Sequence, residues 1–291
     1  MNNQDNEKVF QKSQINWYPG HMKKTREEIL KLMPVIDFVI EVVDGRVPES
    51  SRIKDIDNII KNKPHIIVIT KKDLCDIDET TKWINYYESI GKNIVFINTK
   101  NNNDDKLLMT KLNEIVKTIN EKRIEKGLKV KEARALIIGV PNSGKSTIIN
   151  VIAKKKVAKT GNVPGFTKSL SWLKANNFLL LDTPGILWPK FENEITALNL
   201  ASTSAIREEV LPIHEVAYHI LKMLNKYYPA VLKNRYGLDN IVDNFEDDYK
   251  IISQKIGAIT KGNEVDYNKI SRFIINDIRV GNIKNITFDR R

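Results

Sequence analysis

The 291 residues predict an α/β fold, a mostly parallel sheet covered on both faces, followed by a small all-helical region. Three observations predict it. Short apolar runs rich in β-branched residues alternate with helical patterns through the first two thirds of the chain, as expected of parallel strands joined by crossover helices. A glycine-rich loop lies between one such run and a helical pattern. Beyond about residue 190 the strong strand patterns stop. We therefore expect two domains, 1–190 and 191–291, since a chain of this length holds one full α/β domain and a smaller second one.

Residues 35–43 (Val-Ile-Asp-Phe-Val-Ile-Glu-Val-Val) read as the first buried strand and end at Asp44-Gly45. Residues 65–70 and 93–98 read the same way, with helical patterns at 51–62, 78–90 and 105–126 between and after them. A fourth strand, 134–139, runs into the glycine-rich loop, and the next helix begins near Lys145. Residues 169–174 and 178–181 flank Asn176-Asn177, a hairpin turn that places the one antiparallel pair at the sheet edge. The later helical candidates are 208–227, 248–259 and 267–280.

No apolar run is long enough for a membrane helix, and no lipidation motif is present, which predicts no stable membrane association. The first fifteen residues lack a secretory apolar stretch and an Arg-rich, acid-poor pattern, and a single cysteine, Cys75, suits a reducing compartment. The expectation is a cytoplasmic monomer. Net charge is +11, yet residues 191–291 hold 14 basic and 14 acidic groups, so the excess lies in 1–190. It gathers at Lys23, Lys24, Arg26 and Lys31, at Lys122, Arg123, Lys126, Lys129 and Lys131, and at Lys154, Lys155, Lys156 and Lys159. A nucleic-acid phosphate backbone is the natural partner of such a surface; a lysine-rich solvated face would give the same count.

Gly139-Val-Pro-Asn-Ser-Gly-Lys-Ser-Thr147 is a complete Walker A sequence between a strand and a helix. Its backbone around Asn142, Ser143, Gly144 and Thr147 would wrap phosphate, Lys145 would contact the β- and γ-phosphates, and Ser146 would bind Mg²⁺. Asp182-Thr183-Pro184-Gly185 supplies an acidic residue for the Mg²⁺ shell and a glycine amide for the γ-phosphate. Thr167, about 20 residues after Lys145, would be the mobile Mg²⁺ ligand of a switch. Thr70-Lys71-Lys72-Asp73 follows a strand, and Asp73 can accept from guanine N1–H and the exocyclic amine, donors that adenine does not present together. The aliphatic part of Lys71 would pack on the purine. Asn98-Thr99, at another strand end, is the candidate supporting base loop. These elements are of GTPase type, and in an ordinary small GTPase the base-reading element follows the P-loop. The reversed order predicts a circularly permuted P-loop GTPase domain that turns GTP into GDP.

Ras-like enzymes orient the attacking water with a glutamine after the glycine of DxxG; here Ile186 stands there and cannot polarise water. Two aids are candidates. Asn142 suits recruitment of K⁺ near the phosphates. His21, after the rigid Pro19-Gly20 turn, has an imidazole suited to proton handling, although it could equally be exposed while Trp17 and Tyr18 pack.

Together these residues resemble the circularly permuted GTPases, and within them the ribosome biogenesis GTPase A family. The segments that carry the resemblance are Asn16-Trp-Tyr-Pro-Gly-His-Met-Lys-Lys24, Asp44-Gly-Arg-Val-Pro-Glu-Ser-Ser51, the Walker A loop, and Asp277-Ile-Arg-Val-Gly-Asn-Ile-Lys-Asn-Ile-Thr287. Thr70 stands where that family has Asn, and Gly45 where it usually has Ala. The resemblance implies a GTPase that binds a late precursor of the large ribosomal subunit, contacts its rRNA, is stimulated by it, and carries a helical C-terminal RNA-binding domain. A signalling GTPase at a membrane surface and a P-loop ATPase or kinase are the competing readings.

Overall fold

The computed structural model describes residues 20–53, 55–154, 170–175, 177–185, 187, 193–241 and 245–291, without the side chains of Gly20 and His21. Thr167, Ile186, the 16–18 segment, Asn176, and Lys155, Lys156 and Lys159 lie outside the described residues.

Six strands make one sheet: β1 (Phe38–Asp44), β2 (His65–Thr70), β3 (Asn93–Phe96), β4 (Ala133–Gly139), β5 (Ser171–Ala175) and β6 (Phe178–Asp182). Their order is β3-β2-β1-β4-β6-β5. All neighbours are parallel except β5 and β6, the antiparallel edge pair that the sequence predicts. The described helices of the first part are α1 (Gly20–Leu32), α2 (Ile56–Ile60), α3 (Ile77–Ser89), α4 (Asn102–Glu125) and α5 (Lys145–Ala153). After them come α6 (Glu194–Ser202), α7 (Ile213–Tyr227), α8 (Pro229–Tyr236), α9 (Phe245–Ile256) and α10 (Tyr267–Val280).

Successive side chains of a strand point to opposite faces, and β1 uses both. Phe38, Ile40 and Val42 pack with Leu108, Leu112 and Val116 of α4 and Ile148, Ile149 and Ile152 of α5. Val39 on the opposite face shares a cluster with Leu136 and Ile138 of β4, Met22 and Ile29 of α1, and the buried faces of the C-terminal helices, among them Leu200, Ile220, Leu224 and Ile274. One continuous apolar cluster therefore joins the sheet to the helices that follow it. Glu41, also on β1, is fully buried, a position a carboxylate tolerates only when paired. It accepts from Arg52 Nη2 at 2.9 Å and from the Ile53 amide at 2.7 Å, and the His65 imidazole lies 3.2 Å away.

Two departures from the sequence reading have local causes. The 51–62 pattern contracts to Ile56–Ile60 because Asp55 and Lys61 take left-handed φ of 59° and 52° at its two ends. The 208–227 pattern breaks at Pro212, leaving a 3-10 turn (Glu208–Val210) before α7, since proline removes an amide that a continuous helix needs. The helices α1, α6 and α8 were not foreseen. The short α8 is nevertheless punctuated as helices are, with Pro229 in its first turn and Gly237 at φ 80° after its end.

α6, α7 and the chain's last residues meet at a buried polar joint. Asp289 accepts from the amides of Glu49 and Ser50 at 2.8 and 2.7 Å and from Asn199 Nδ2 at 2.8 Å. Asn199 Oδ1 pairs with His219 Nε2 at 2.8 Å, and the His219 ring stacks on Phe288. Burial, with the nearby Lys222 charge, pushes the His219 pKa down to about 4. This imidazole is neutral in the folded protein and protonated in the unfolded chain between pH 4 and 6.5, so it withdraws stability as the pH falls through that window. Chemical denaturation should show the wild type losing about 3 kcal/mol relative to His219→Gln between pH 6.5 and 4, a pH-independent difference being the contrary result.

Candidate active site

The predicted elements converge at the C-terminal ends of β1, β2, β4 and β6, where open α/β sheets bind ligands. Asp44 and Thr70 are register partners on β1 and β2, and Val42 is paired with Gly139 on β4. The predicted base-reading loop and the P-loop are therefore neighbours despite their separation in sequence.

The P-loop geometry follows from its glycines. A Cβ at Gly139 would lie 2.5 Å from the Val42 carbonyl and 2.8 Å from Ser143 Oγ. Gly144 has φ 97°, and Asn142 turns the loop at φ 60°. No side chain caps α5, whose first residue is Lys145; its leading amides are the groups that hold anions at helix N-termini. Gly185 packs against the loop so closely that a Cβ would meet Pro141 Cα at 2.7 Å.

Lys145 and Asp182 face each other inside the site, Nζ to Oδ1 3.7 Å, and Lys145 Nζ donates to the Thr183 carbonyl. Both groups are buried. Burial pushes the Lys145 pKa down and the Asp182 pKa up, each opposed by the other's charge. Asp182 Oδ1 is buried without a hydrogen-bond partner, as suits an acceptor facing a hydrated cation. Ser146, half-buried in the first turn of α5, is the hydroxyl predicted for the same ion. The donor set fits Mg²⁺; its third predicted member, Thr167, lies outside the described residues.

Thr70 replaces the family's Asn and has a defined job. It is 1% exposed, and its Oγ1 lies 2.6 Å from the Ser143 carbonyl and 3.1 Å from that of Val43. A hydroxyl has one proton to give, and the shorter contact is the one to the P-loop. Thr70 thus pins base loop to P-loop, and a Cβ on Gly144 would come 3.2 Å from its oxygen. Lys71, at φ 58°, reaches across the same seam: Nζ donates to the Asn142 carbonyl at 2.6 Å and to Asp44 Oδ2 at 2.7 Å. Burial brings its pKa down to about 8 against the pull of Asp44. Lys72 Nζ sits over the Phe96 ring.

Asp73 Oδ2 accepts from Lys100 Nζ at 2.6 Å. Lys100 is 77% exposed, so this pair is weak and a ligand can compete with it. The Asn98-Thr99 loop is adjacent: Lys72 N donates to the Ile97 carbonyl, and Asn98 Oδ1 accepts from Lys100 N at 3.0 Å. Asn142 donates through Nδ2 to the Ser204 carbonyl at 2.6 Å, which ties the P-loop to the end of α6. His21 belongs to α1, its side chain outside the description.

Sequence reasoning assigns no role to Asp44 and Arg46. Both charged side chains are buried here, and Asp44 holds Lys71. The signal available was a carboxylate at the C-terminal end of a mostly apolar strand, beside the predicted base-reading loop.

A family described as 50S ribosome-binding GTPase matches residues 134–254. The match begins at the strand leading into the P-loop and leaves Thr70–Asp73 outside, as a permuted order requires. The ribosome biogenesis GTPase A of Bacillus cereus is 40% identical over 276 residues, covering 94% of this chain and 93% of that protein. The chain belongs to the ribosome biogenesis GTPase A family. Membership makes it a GTPase of ribosome biogenesis. Two solved structures agree. GNP-bound YlqF from Thermotoga maritima gives a TM-score of 0.66 at 25% identity, covering 92% of this chain and 98% of that one. The GDP-bound YlqF gives 0.64 at 26%, covering 90% and 98%.

Replacing Thr70 by Val keeps the shape and removes the hydroxyl, leaving the Ser143 carbonyl without this donor. We expect Thr70→Val to lower stability by about 1–2 kcal/mol and to speed release of fluorescent GDP. Wild-type melting and wild-type release together would exclude the tether.

Proposed function

We propose that this GTPase is an assembly factor of the large ribosomal subunit, which binds the immature particle and its rRNA in the GTP state and leaves on hydrolysis. The observation that carries the reading is the seam itself: Thr70 Oγ1 and Lys71 Nζ both end on P-loop carbonyls, which supports guanine and phosphate recognition as one site. In that site Asp73 takes the guanine edge, Lys71 lies under the purine, and Asn98-Thr99 supports the base loop. The amides of 142–147 and Lys145 take the phosphates, with Gly185 at the γ-phosphate. Ser146, Thr167 and Asp182 would hold Mg²⁺, which when bound would neutralise negative charge on the phosphates. His21 and a K⁺ held near Asn142 are the groups proposed to compensate for Ile186.

The two-domain division at 190/191, the cytoplasmic, monomeric state and the RNA-binding role of residues 191–291 belong to the same proposal. Exposed Lys122, Lys126 and Lys129 at the end of α4, with Lys23, Lys24 and Lys31 on α1, support a phosphate-rich partner. No described helix is long and apolar enough to cross a membrane.

Three experiments test the reading. Asp73→Asn should move preference from guanine to xanthine nucleotides, and unchanged guanine binding would remove Asp73 from base recognition. Co-sedimentation with large subunits should be GTP-dependent and fall steeply with salt. Binding to anionic liposomes instead would favour a membrane partner. Turnover with the subunit should rise, should be higher in K⁺ than in Na⁺, and should lose its stimulation in His21→Ala.

A further inference from the structure

We propose that Arg46 is a positioning residue for guanine binding. It fixes Lys71 through Asp44 and is itself set by the end of α10, so docking of the C-terminal helix governs how long nucleotide stays bound. The inference rests on the assignment of Lys71 to the guanine site.

The path is continuous and buried. Lys71 Nζ ends on Asp44 Oδ2 at 2.7 Å. Asp44 Oδ1 accepts from the Arg46 amide at 3.0 Å and from Nε at 3.1 Å, and Oδ2 accepts from Nη2 at 2.8 Å. The guanidinium is thus locked in a two-pronged geometry that lysine cannot reproduce. Its remaining arm, Nη1, donates at 2.7 Å to the carbonyl of Ile278, in the last turn of α10. Carbonyls at a helix C-terminus attract cations, so this contact is charge-assisted. With Arg46 1% exposed and Asp44 2% exposed, water cannot substitute for a lost partner.

A second set of contacts brings α10 and its tail to the same loop. A Cβ on Gly281, at φ 78° directly after α10, would meet Leu74 Cδ2 at 2.8 Å. Leu74 is the residue after Asp73. The Ile286 amide donates to the Leu74 carbonyl, the Asp76 amide to Thr287 Oγ1, and the Phe288 amide to the Arg46 carbonyl at 2.7 Å. The loop that reads the base is therefore walled by the C-terminal helix and tail on one side and by the P-loop on the other. A contact that moves α10 away from Arg46 would free Asp44 and loosen Lys71. By reciprocity, nucleotide seated on Lys71 strengthens the docking of α10.

The test is release of fluorescent GDP from the full chain, with KM and kcat for GTP measured beside it. The variants are Arg46→Lys, Gly281→Ala, Lys71→Ala and the double variant Arg46→Lys/Lys71→Ala. Arg46→Lys and Gly281→Ala should each speed release about tenfold, a change of about 1.4 kcal/mol, with the loss falling on KM rather than kcat. In the Lys71→Ala background Arg46→Lys should add less than about twofold, because its effect passes through Lys71. Full multiplication of the two effects would overturn the proposal, since a purely structural Arg46 acts independently of Lys71. If Arg46→Lys does not fold, Gly281→Ala decides, because it acts from the helix side and leaves the Lys71–Asp44–Arg46 chemistry intact. Wild-type release from Gly281→Ala then overturns the coupling. If Lys71→Ala itself releases GDP at the wild-type rate, the guanine-site assignment fails. If Lys71→Ala is fast while Arg46→Lys is wild-type-like, only the coupling fails.

Discussion

The buried pair of Asp44 and Arg46 at the end of β1 is the constraint on which the site depends. Two desolvated charges tolerate one another only when their remaining polar atoms are satisfied, and removing one partner from such a pair costs about 3–5 kcal/mol. Here the satisfaction comes from three directions. Ser51 Oγ accepts from the Asp44 amide, Lys71 reaches Asp44 from the base loop, and the Ile278 carbonyl takes the last arm of Arg46. The Arg46 and Lys71 charges hold the Asp44 carboxyl well below the usual carboxylate range despite burial. The chain segments that meet at this point cannot shift independently without stranding a charge.

From that point the nucleotide site is built as a seam between loops. Strand register puts Asp44 beside Thr70, and Thr70 beside the P-loop. At position 70 a hydroxyl with one donor proton stands where an Asn amide would offer two. That one proton has the Ser143 carbonyl 2.6 Å away, and this contact is the tether to the P-loop. Gly45 is accommodated in the same way: a Cβ there would stand 2.8 Å from the Thr70 carbonyl, and the chain closes that space with the backbone bond from Gly45 N to Thr70 O.

The parts of this architecture that were legible in the sequence are those dictated by local rules. The strands at 38–44, 65–70 and 133–139 show as apolar runs because both sheet faces are covered. The P-loop shows because its glycines are forced by backbone approach. The Lys71–Asp44 bond and the Arg46–Ile278 bond join residues 27 and 232 positions apart, and no period or turn signal encodes contacts of that kind. Helix α6 is hidden for another reason: its C-terminal half is buried on every side, polar Asn199 and Ser202 included, while Ile195 of its first turn is exposed, so it carries no amphipathic stripe. The break at Pro212 was visible in the letters and was outweighed by the strong apolar pattern around it.

The permuted order gives these contacts a mechanical sense. The chain passes from the DxxG glycine to α6 within ten residues, and the end of α6 returns to the P-loop through Ser204 and Asn142. The far end of the C-terminal part returns to the base loop through Ile278 and Arg46. The helices are thus fastened to the two loops proposed to take opposite ends of a nucleotide. They also share one apolar cluster with the sheet, and exposing each buried leucine or isoleucine of it would cost about 1.5–3 kcal/mol. A wide swing of the helices is therefore expensive, whereas a shift of an ångström at Ser204 or Ile278 breaks a single hydrogen bond. Any signal between nucleotide and C-terminal surface must travel by such small displacements, because the packing forbids the large ones before it forbids the small.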